Sequence, residues 1–215
     1  MLHLIAEMFT YPFMVRALCM GVLVALCAAV LGVTLVLKRY SMIGDGLSHV
    51  GFGALAIASA MNAAPLAFAI PVVIAASFLL LHLTENSKIK GDAAIALIST
   101  GSLAVGVMVV SMTTGMNTDV YNYLFGSILS MSQEDVALTG VVSAVILVLF
   151  VFFYHRIFAV TFDETFARAT GMNAGLYNMV IALLTALVIV IGMRMMGSLL
   201  ISSLVVFPAV TSMRT

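Results

Sequence analysis

The sequence predicts an all-α protein, a polytopic bundle of about seven transmembrane helices. Hydrophobic residues make up 63% of the 215 residues and charged residues only 8%, whereas a soluble domain carries about a quarter charged residues. The apolar residues also fall in runs of about 18 to 22, long enough for a helix to cross a hydrocarbon core of about 30 Å. Because no water satisfies the backbone there, runs of this length must be helical.

The order of the runs predicts a single transmembrane domain over residues 1–215. We expect seven spans, at residues 13–37, 42–61, 65–83, 93–112, 136–154, 176–193 and 197–213. Positively charged loops face the cytoplasm, and lysine and arginine collect after the first, third and fifth spans, at Lys38, Arg39, Lys88, Lys90, Arg156 and Arg168. The N-terminus is therefore expected outside. Arg16 and Arg194 depart from this pattern, but both lie near span ends, where long side chains can reach the interface.

One apolar segment of the longest outer loop is too short to span the membrane. Residues 120–129 read VYNYLFGSIL, and segments of this length are typical of interfacial or re-entrant structure. The tyrosines suit a position at the level of the lipid headgroups.

Several function classes are not indicated. A net charge of zero gives no sign of a nucleic-acid partner, and Cys19 and Cys27 form neither a disulfide framework nor a metal motif. His3, His82 and His155 stand alone, and the H-E-x-x-H and G-x-S-x-G signatures of enzymes are missing from the sequence. We therefore expect a non-enzyme. The sequence has no P-loop either, so any ATP-driven work must come from a partner subunit.

The residues that carry chemistry lie in residues 41–51, SMIGDGLSHVG. Asp45 is the only acidic residue inside an apolar span, and a charged side chain at the centre of a membrane helix costs at least about 2.5 kcal/mol. His49 lies four residues later, so both side chains project from one helix face. A carboxylate oxygen and an imidazole nitrogen at this spacing can hold one divalent cation. The surrounding glycines allow close approach of a second helix.

The residues alone leave three interpretations of this pair open. The first is metal or proton handling, and the second is a structural Asp–His hydrogen bond that fixes helix packing. The third places Asp45 at the membrane interface, since Lys38 and Arg39 are about a turn and a half away. Two ligands are fewer than a stable site needs, so the metal interpretation requires more donors, which a second copy would supply.

The fifth loop predicts a short amphipathic helix near residues 162–172. Asp163 is expected to cap its N-terminus and Gly171 to end it, while Phe162 and Phe166 lie four residues apart on one face. Such a helix can lie flat on the membrane or fit a groove in a partner protein.

The chain resembles the permease subunits of the bacterial zinc-, manganese- and iron-type metal ABC importers. Four stretches carry the resemblance, and their order and spacing extend over nearly the whole chain: residues 37–49, 119–126, 162–171 and 197–209. Members of this family usually continue past the region of Pro208 with a further helix, so the resemblance implies a truncated chain.

The resemblance implies a function, a location and a set of partners. The permease would carry Zn, Mn or Fe ions across the bacterial cytoplasmic (inner) membrane as a multi-pass protein, with no permanently bound cofactor. Its partners would be cytoplasmic ATPase subunits, an extracytoplasmic metal-binding protein, a second permease copy or paralogue, and membrane lipid. Asp45 and His49 match the family's gating motif and would contact the ion in transit. Phe162, Asp163, Phe166, Ala167 and Gly171 match the coupling helix that sits in the ATPase groove.

The main alternative function is an ion-coupled secondary carrier for metal or protons, with Asp45 as the relay. Such a carrier would work without an ATPase partner.

Overall fold

The fold is a bundle of helices in the computed structural model, which describes residues 9–86, 91–113, 122–127 and 133–213. Within these ranges the regular structure consists of eight helices and one helical turn at residues 122–125. The helices are α1 Pro12–Leu37, α2 Ser41–Ala60, α3 Pro65–Asn86, α4 Gly91–Met112, α5 Gln133–Phe162, α6 Glu164–Ala169, α7 Ala174–Met196 and α8 Ser198–Ser212. Predicted features at His3, Lys88, Lys90 and Asp119, and part of the 120–129 segment, lie outside the described residues.

Five of these helices are long and apolar enough to cross a membrane: α1, α3, α4, α5 and α7. The predicted all-helical transmembrane bundle is confirmed to that extent, but the count of seven spans is not confirmed. Helix α2 has 20 residues, yet Asp45, His49 and its glycines lower its mean hydropathy. Helix α8 has 15 residues, fewer than the roughly 20 that a perpendicular span needs.

Helix α7 forms the centre of the bundle. It packs against α1, α2, α3, α5 and α8, and 67% of its most apolar segment is buried, compared with 22% to 39% for the other four apolar helices. Helices rich in apolar residues on all sides are expected at such central positions.

Glycines allow the helices to approach one another closely. A methyl group at Gly32 of α1 would overlap the backbone carbonyl oxygen of Val205 in α8. A methyl group at Gly53 of α2 would lie 2.8 Å from the carbonyl oxygen of Ser102 in α4. These two contacts fix α1 against α8 and α2 against α4.

Polar contacts between helix ends occur at both ends of the bundle. At one end, Lys38, just after α1, lies 3.2 Å from Glu164 at the start of α6. At the other end, Tyr123 Oη and Ser59 Oγ are 2.7 Å apart. The first and fifth loops therefore lie at one end of the bundle, and the second and fourth loops at the other.

One predicted boundary is wrong by a full two turns. Span five was expected to end at residue 154, where His155 and Arg156 interrupt the apolar run, but α5 continues to Phe162. Arg156 donates a 2.6 Å hydrogen bond to Tyr177 Oη of α7, so its charge is satisfied without ending the helix. The end of the apolar run is therefore not the end of the helix.

Candidate functional site

Asp45 and His49 lie one turn apart on α2, as their spacing predicts. Asp45 Oδ2 and His49 Nε2 are 3.8 Å apart. The His49 side chain is 19% exposed and the Asp45 side chain 50% exposed. His49 Nδ1 is buried and has no hydrogen-bond partner among the described residues. The two facing atoms are the ones that could share a cation.

The 3.8 Å separation is longer than a hydrogen bond, so it does not support the interpretation of a structural Asp–His hydrogen bond. Two atoms that bind one cation at about 2.1 Å and a tetrahedral angle lie about 3.4 Å apart. A closure of roughly 0.4 Å would therefore bring Oδ2 and Nε2 to the separation of two metal ligands.

The orientation of α2 leaves the Asp45 side chain half exposed in the single chain, while His49 is mostly buried. Gly46 and Gly53 face α4, through Ile95 and Ser102, and Gly44 faces Val205 of α8. At 100° per residue, Asp45 and His49 lie between these two contact faces. The half-exposed Asp45 carboxylate therefore lies between α4 and α8.

The pair has no third protein donor nearby in the part of the chain that the structure describes, where no group of three His, Cys, Asp or Glu side chains comes together. Asp45 is the fifth residue of α2, about 6 Å along the axis from its first residue. The carboxylate thus lies closer to the Lys38 end than to the middle of the bundle. Its half exposure in the single chain is also consistent with the interfacial interpretation.

The short helix predicted in the fifth loop is α6. The Asp163 carboxylate accepts a 2.9 Å hydrogen bond from the Phe166 backbone N–H, so Asp163 caps the helix. Gly171 has φ +84°, and the N–H groups of Gly171 and Met172 donate to the carbonyls of Arg168 and Ala167 at 3.1 and 3.0 Å. This is the Schellman pattern, which favours glycine at the position of Gly171.

Helix α6 has an outward and an inward side. Phe162, just before it, and Phe166 are 61% and 62% exposed. Ala167 is fully buried and packs with Val160 of α5 and Tyr177 of α7. The two phenylalanines are therefore available to a partner, whereas Ala167 attaches the helix to the bundle.

A polar cluster that was not predicted from the sequence lies under α6. Lys38 Nζ donates to Glu164 Oε2 at 3.2 Å and also to Asn178 Oδ1 of α7. Burial raises the pKa of Glu164, but hydrogen bonds from Arg168 and Lys38, with the Lys38 charge, outweigh it and hold this pKa below its ordinary value. Asn178 in an otherwise apolar run was the signal that could have indicated a buried partner.

Among the described residues, the cysteines, the other histidines and the cavity between α2, α3 and α4 form no second site. Cys19 and Cys27 are both free thiols, and Cys27 Sγ donates to the Ser143 carbonyl at 3.6 Å. His82 and His155 are exposed. A cavity of about 420 Å³ between α2, α3 and α4 is almost entirely apolar. Asp45 and His49 do not line it, so this cavity and the candidate metal site are separate.

Comparison with known proteins finds a transport family and membrane proteins of metal transport systems. The chain matches the family model "ABC 3 transport family" over residues 10–215. It is 26% identical to the manganese transport system membrane protein MntC of Halalkalibacterium halodurans, over 96% of this chain and 70% of that protein. It is 26% identical to ZnuB, a high-affinity zinc uptake system membrane protein of Haemophilus influenzae, over 95% of this chain and 78% of that protein.

A solved structure described as PsaBC from Streptococcus pneumoniae in complex with Fab is 30% identical to this chain. It superposes with a TM-score of 0.84 over 97% of this chain and 76% of that chain. A metal-chelate type ABC transporter in an inward-facing conformation, 17% identical, superposes with a TM-score of 0.68 over 86% of this chain and 62% of that chain, and shares the fold. The chain belongs to the ABC 3 transport family.

Proposed function

We propose that this chain is the membrane-spanning permease subunit of an ATP-driven importer for a divalent transition metal ion in a bacterial inner membrane. The observation that carries the proposal is the Asp45–His49 pair, held one turn apart on α2 with its ligand atoms 3.8 Å apart. Family membership and relatives named for manganese and zinc transport support it. They do not favour the ion-coupled secondary carrier.

The proposed site is completed across a pair of permeases. One chain offers one carboxylate and one imidazole on the face between α4 and α8. A second copy or paralogue against this face would bury Asp45 and contribute a matching pair, which gives four donors. Carboxylate oxygen and imidazole nitrogen suit Mn²⁺, Fe²⁺ and Zn²⁺ alike.

The proposed mechanism separates energy supply from ion binding. An extracytoplasmic binding protein delivers the metal, and cytoplasmic ATPase subunits dock on α6 through Phe162 and Phe166. ATP binding pushes α6 and shifts the packing of the helices between outward- and inward-facing states. Because the two Asp45–His49 pairs approach one another in one packing and separate in the other, the ion is released rather than trapped.

The test is uptake of radioactive manganese, zinc or iron into proteoliposomes that hold the permease and the ATPase that co-purifies with it. We expect uptake that requires ATP inside the liposomes when the metal-binding protein is present outside. Uptake of the same size that follows an imposed proton or sodium gradient without ATP would contradict the proposal and favour the secondary carrier.

A further inference from the structure

A partly buried ion pair joins the start of the short helix α6 to Lys38, at the end of α1. The Lys38 side chain is 5% exposed, and its Nζ lies 3.2 Å from Glu164 Oε2. Asn178, which is 1% exposed, accepts from the same Nζ and donates to Glu164 Oε2 at 3.5 Å. Three elements, the end of α1, the start of α6 and the first turns of α7, therefore meet at one ammonium group.

Lys38 is connected to α2 by a short, hydrogen-bonded turn. Lys38 is the C-cap of α1, and Arg39 has φ +60°. The backbone N–H groups of Arg39 and Tyr40 donate to the carbonyls of Val36 and Leu35 at 3.0 and 2.8 Å. These two bonds form a Schellman motif, and α2 begins at the next residue.

The turn also binds the first turn of α2 directly. The Ile43 N–H donates to the Tyr40 carbonyl at 2.9 Å, and the Lys38 ammonium group lies 5.7 Å from the centre of the Tyr40 ring. Only three residues separate the two helices, and three backbone hydrogen bonds hold this connection to the end of α1 and the start of α2. Asp45 is the fifth residue of that helix.

A matched residue on α6 lacks this connection. Arg168 donates to Glu164 Oε1 at 2.6 Å, but it lies on the same helix as Glu164 and is 63% exposed. It contacts the same carboxylate as Lys38 without linking α6 to α1 or α2 through that bond. Lys38 and Arg168 both pair with the Glu164 carboxylate, so loss of either removes a cation from it. Only the loss of Lys38 also removes the connection from α6 towards α2.

We propose that Lys38 is a positioning residue that transmits displacement of α6, through Glu164 and Asn178, to α2 and so to the Asp45–His49 pair. This inference rests on the proposed function. A partner must displace α6, and the contacts of Lys38 with Glu164 and Asn178 transmit this displacement to α2. A two-state arrangement that both sites bias is the physical basis of such coupling.

The experiment uses the permease with its co-purifying ATPase in proteoliposomes and measures metal ions carried per ATP hydrolysed, with radioactive manganese and zinc as the probes. We expect Lys38→Met to lower this ratio about tenfold, within the usual range of coupling between sites, while the ATPase stays bound. Lys38→Arg should retain most of the ratio, and Arg168→Gln should leave it near the wild-type value. An unchanged ratio in Lys38→Met would overturn the inference.

Two further measurements separate the possible failures. If Lys38→Met does not fold, Glu164→Gln removes the negative charge of the pair with nearly the same side-chain shape. A lower ratio of metal carried to ATP hydrolysed in Glu164→Gln then supports the inference, and an unchanged ratio overturns it. If the wild-type complex carries no metal, the proposed function is wrong. The connection between Lys38 and the start of α2 is then tested by amide hydrogen exchange at residues 41–45. Faster exchange in Lys38→Met than in Arg168→Gln supports it, and equal exchange overturns it.

Discussion

Arg194 near the end of α7 and Asp135 in the first turn of α5 form an ion pair of 3.1 Å, with side chains 16% and 17% exposed. This pair lies at the end of the bundle opposite α6, near the contact between Tyr123 and Ser59. Arg194 was an exception to the distribution of positive charge. The carboxylate of Asp135 offsets the cost of holding this cation among largely buried side chains.

Removal of one member of this pair should destabilise the protein. We expect Asp135→Asn to lower the free energy of unfolding by about 3 kcal/mol, since it leaves the largely buried Arg194 unpaired. The measurement is thermal unfolding in detergent. Glu134→Gln, at the exposed neighbouring position, is the matched control and should unfold near the wild-type temperature. Equal losses in the two variants would contradict the role of the pair.

The contact between α1 and α8 should not tolerate a side chain. Gly32→Ala places a methyl group against the Val205 carbonyl, so we expect a loss of at least about 2 kcal/mol in unfolding free energy from overpacking. Gly101→Ala in α4 is the control, because its added methyl group would meet no atom of another helix within 4 Å. Thermal unfolding of both variants measures the difference. A Gly32→Ala variant as stable as Gly101→Ala would show that the helices separate easily.

The exposed phenylalanine of α6 should be needed for ATPase binding. Phe166→Ala removes an aromatic ring that is 62% exposed, and loss of an interface hot spot costs about 2 kcal/mol or more, roughly thirtyfold in affinity. Titration of the purified permease with its ATPase measures this. Phe152→Ala on α5, 78% exposed in the single chain, is the control and should bind normally. Normal binding by Phe166→Ala would place the ATPase elsewhere.

The attachment of α6 should depend on pH in one direction. Because Lys38 and Arg168 hold the pKa of Glu164 below its ordinary value, the folded contact favours the charged form. Its contribution is full above the ordinary carboxyl pKa of about 4.3 and is lost as pH falls through the lower folded value.

Fluorescence can follow this transition, since the chain has no Trp and Phe166→Trp supplies a single reporter on α6. We expect its emission to change below about pH 4 and to stay flat when Glu164→Gln is added. An identical acid transition in both proteins would assign the change to another group.

Much of the fold could be predicted from the sequence, because a helix in a membrane is a local structure. The length of each apolar run located the helices, and Asp163 and Gly171 gave the limits of α6 through cap chemistry that depends on neighbouring residues. The extension of α5 past Arg156 could not be predicted, because Tyr177, which satisfies that charge, lies 21 residues away.

The candidate site was predictable only in part, because some of its contacts join residues that are distant in the sequence. Asp45 and His49 are four residues apart, so the helical period alone places them together. Lys38, Glu164 and Asn178 are separated by up to 140 residues, and only the packing of α1, α6 and α7 brings them into contact. The inward position of Ala167 likewise depends on Val160 and Tyr177, which the sequence does not place beside it.

The most direct test of the account is ATP-dependent uptake of radioactive manganese and zinc by Asp45→Ala and His49→Ala in the reconstituted complex. Loss of a metal ligand should lower uptake by at least about tenfold in each variant, while ATPase binding stays normal. Ser48→Ala is the control, since Ser48 Oγ donates to the Asp45 backbone carbonyl at 2.7 Å and is not a proposed ligand. Wild-type uptake in either ligand variant, at equal amounts of folded protein, would show that the substituted residue is not a ligand of the transported ion.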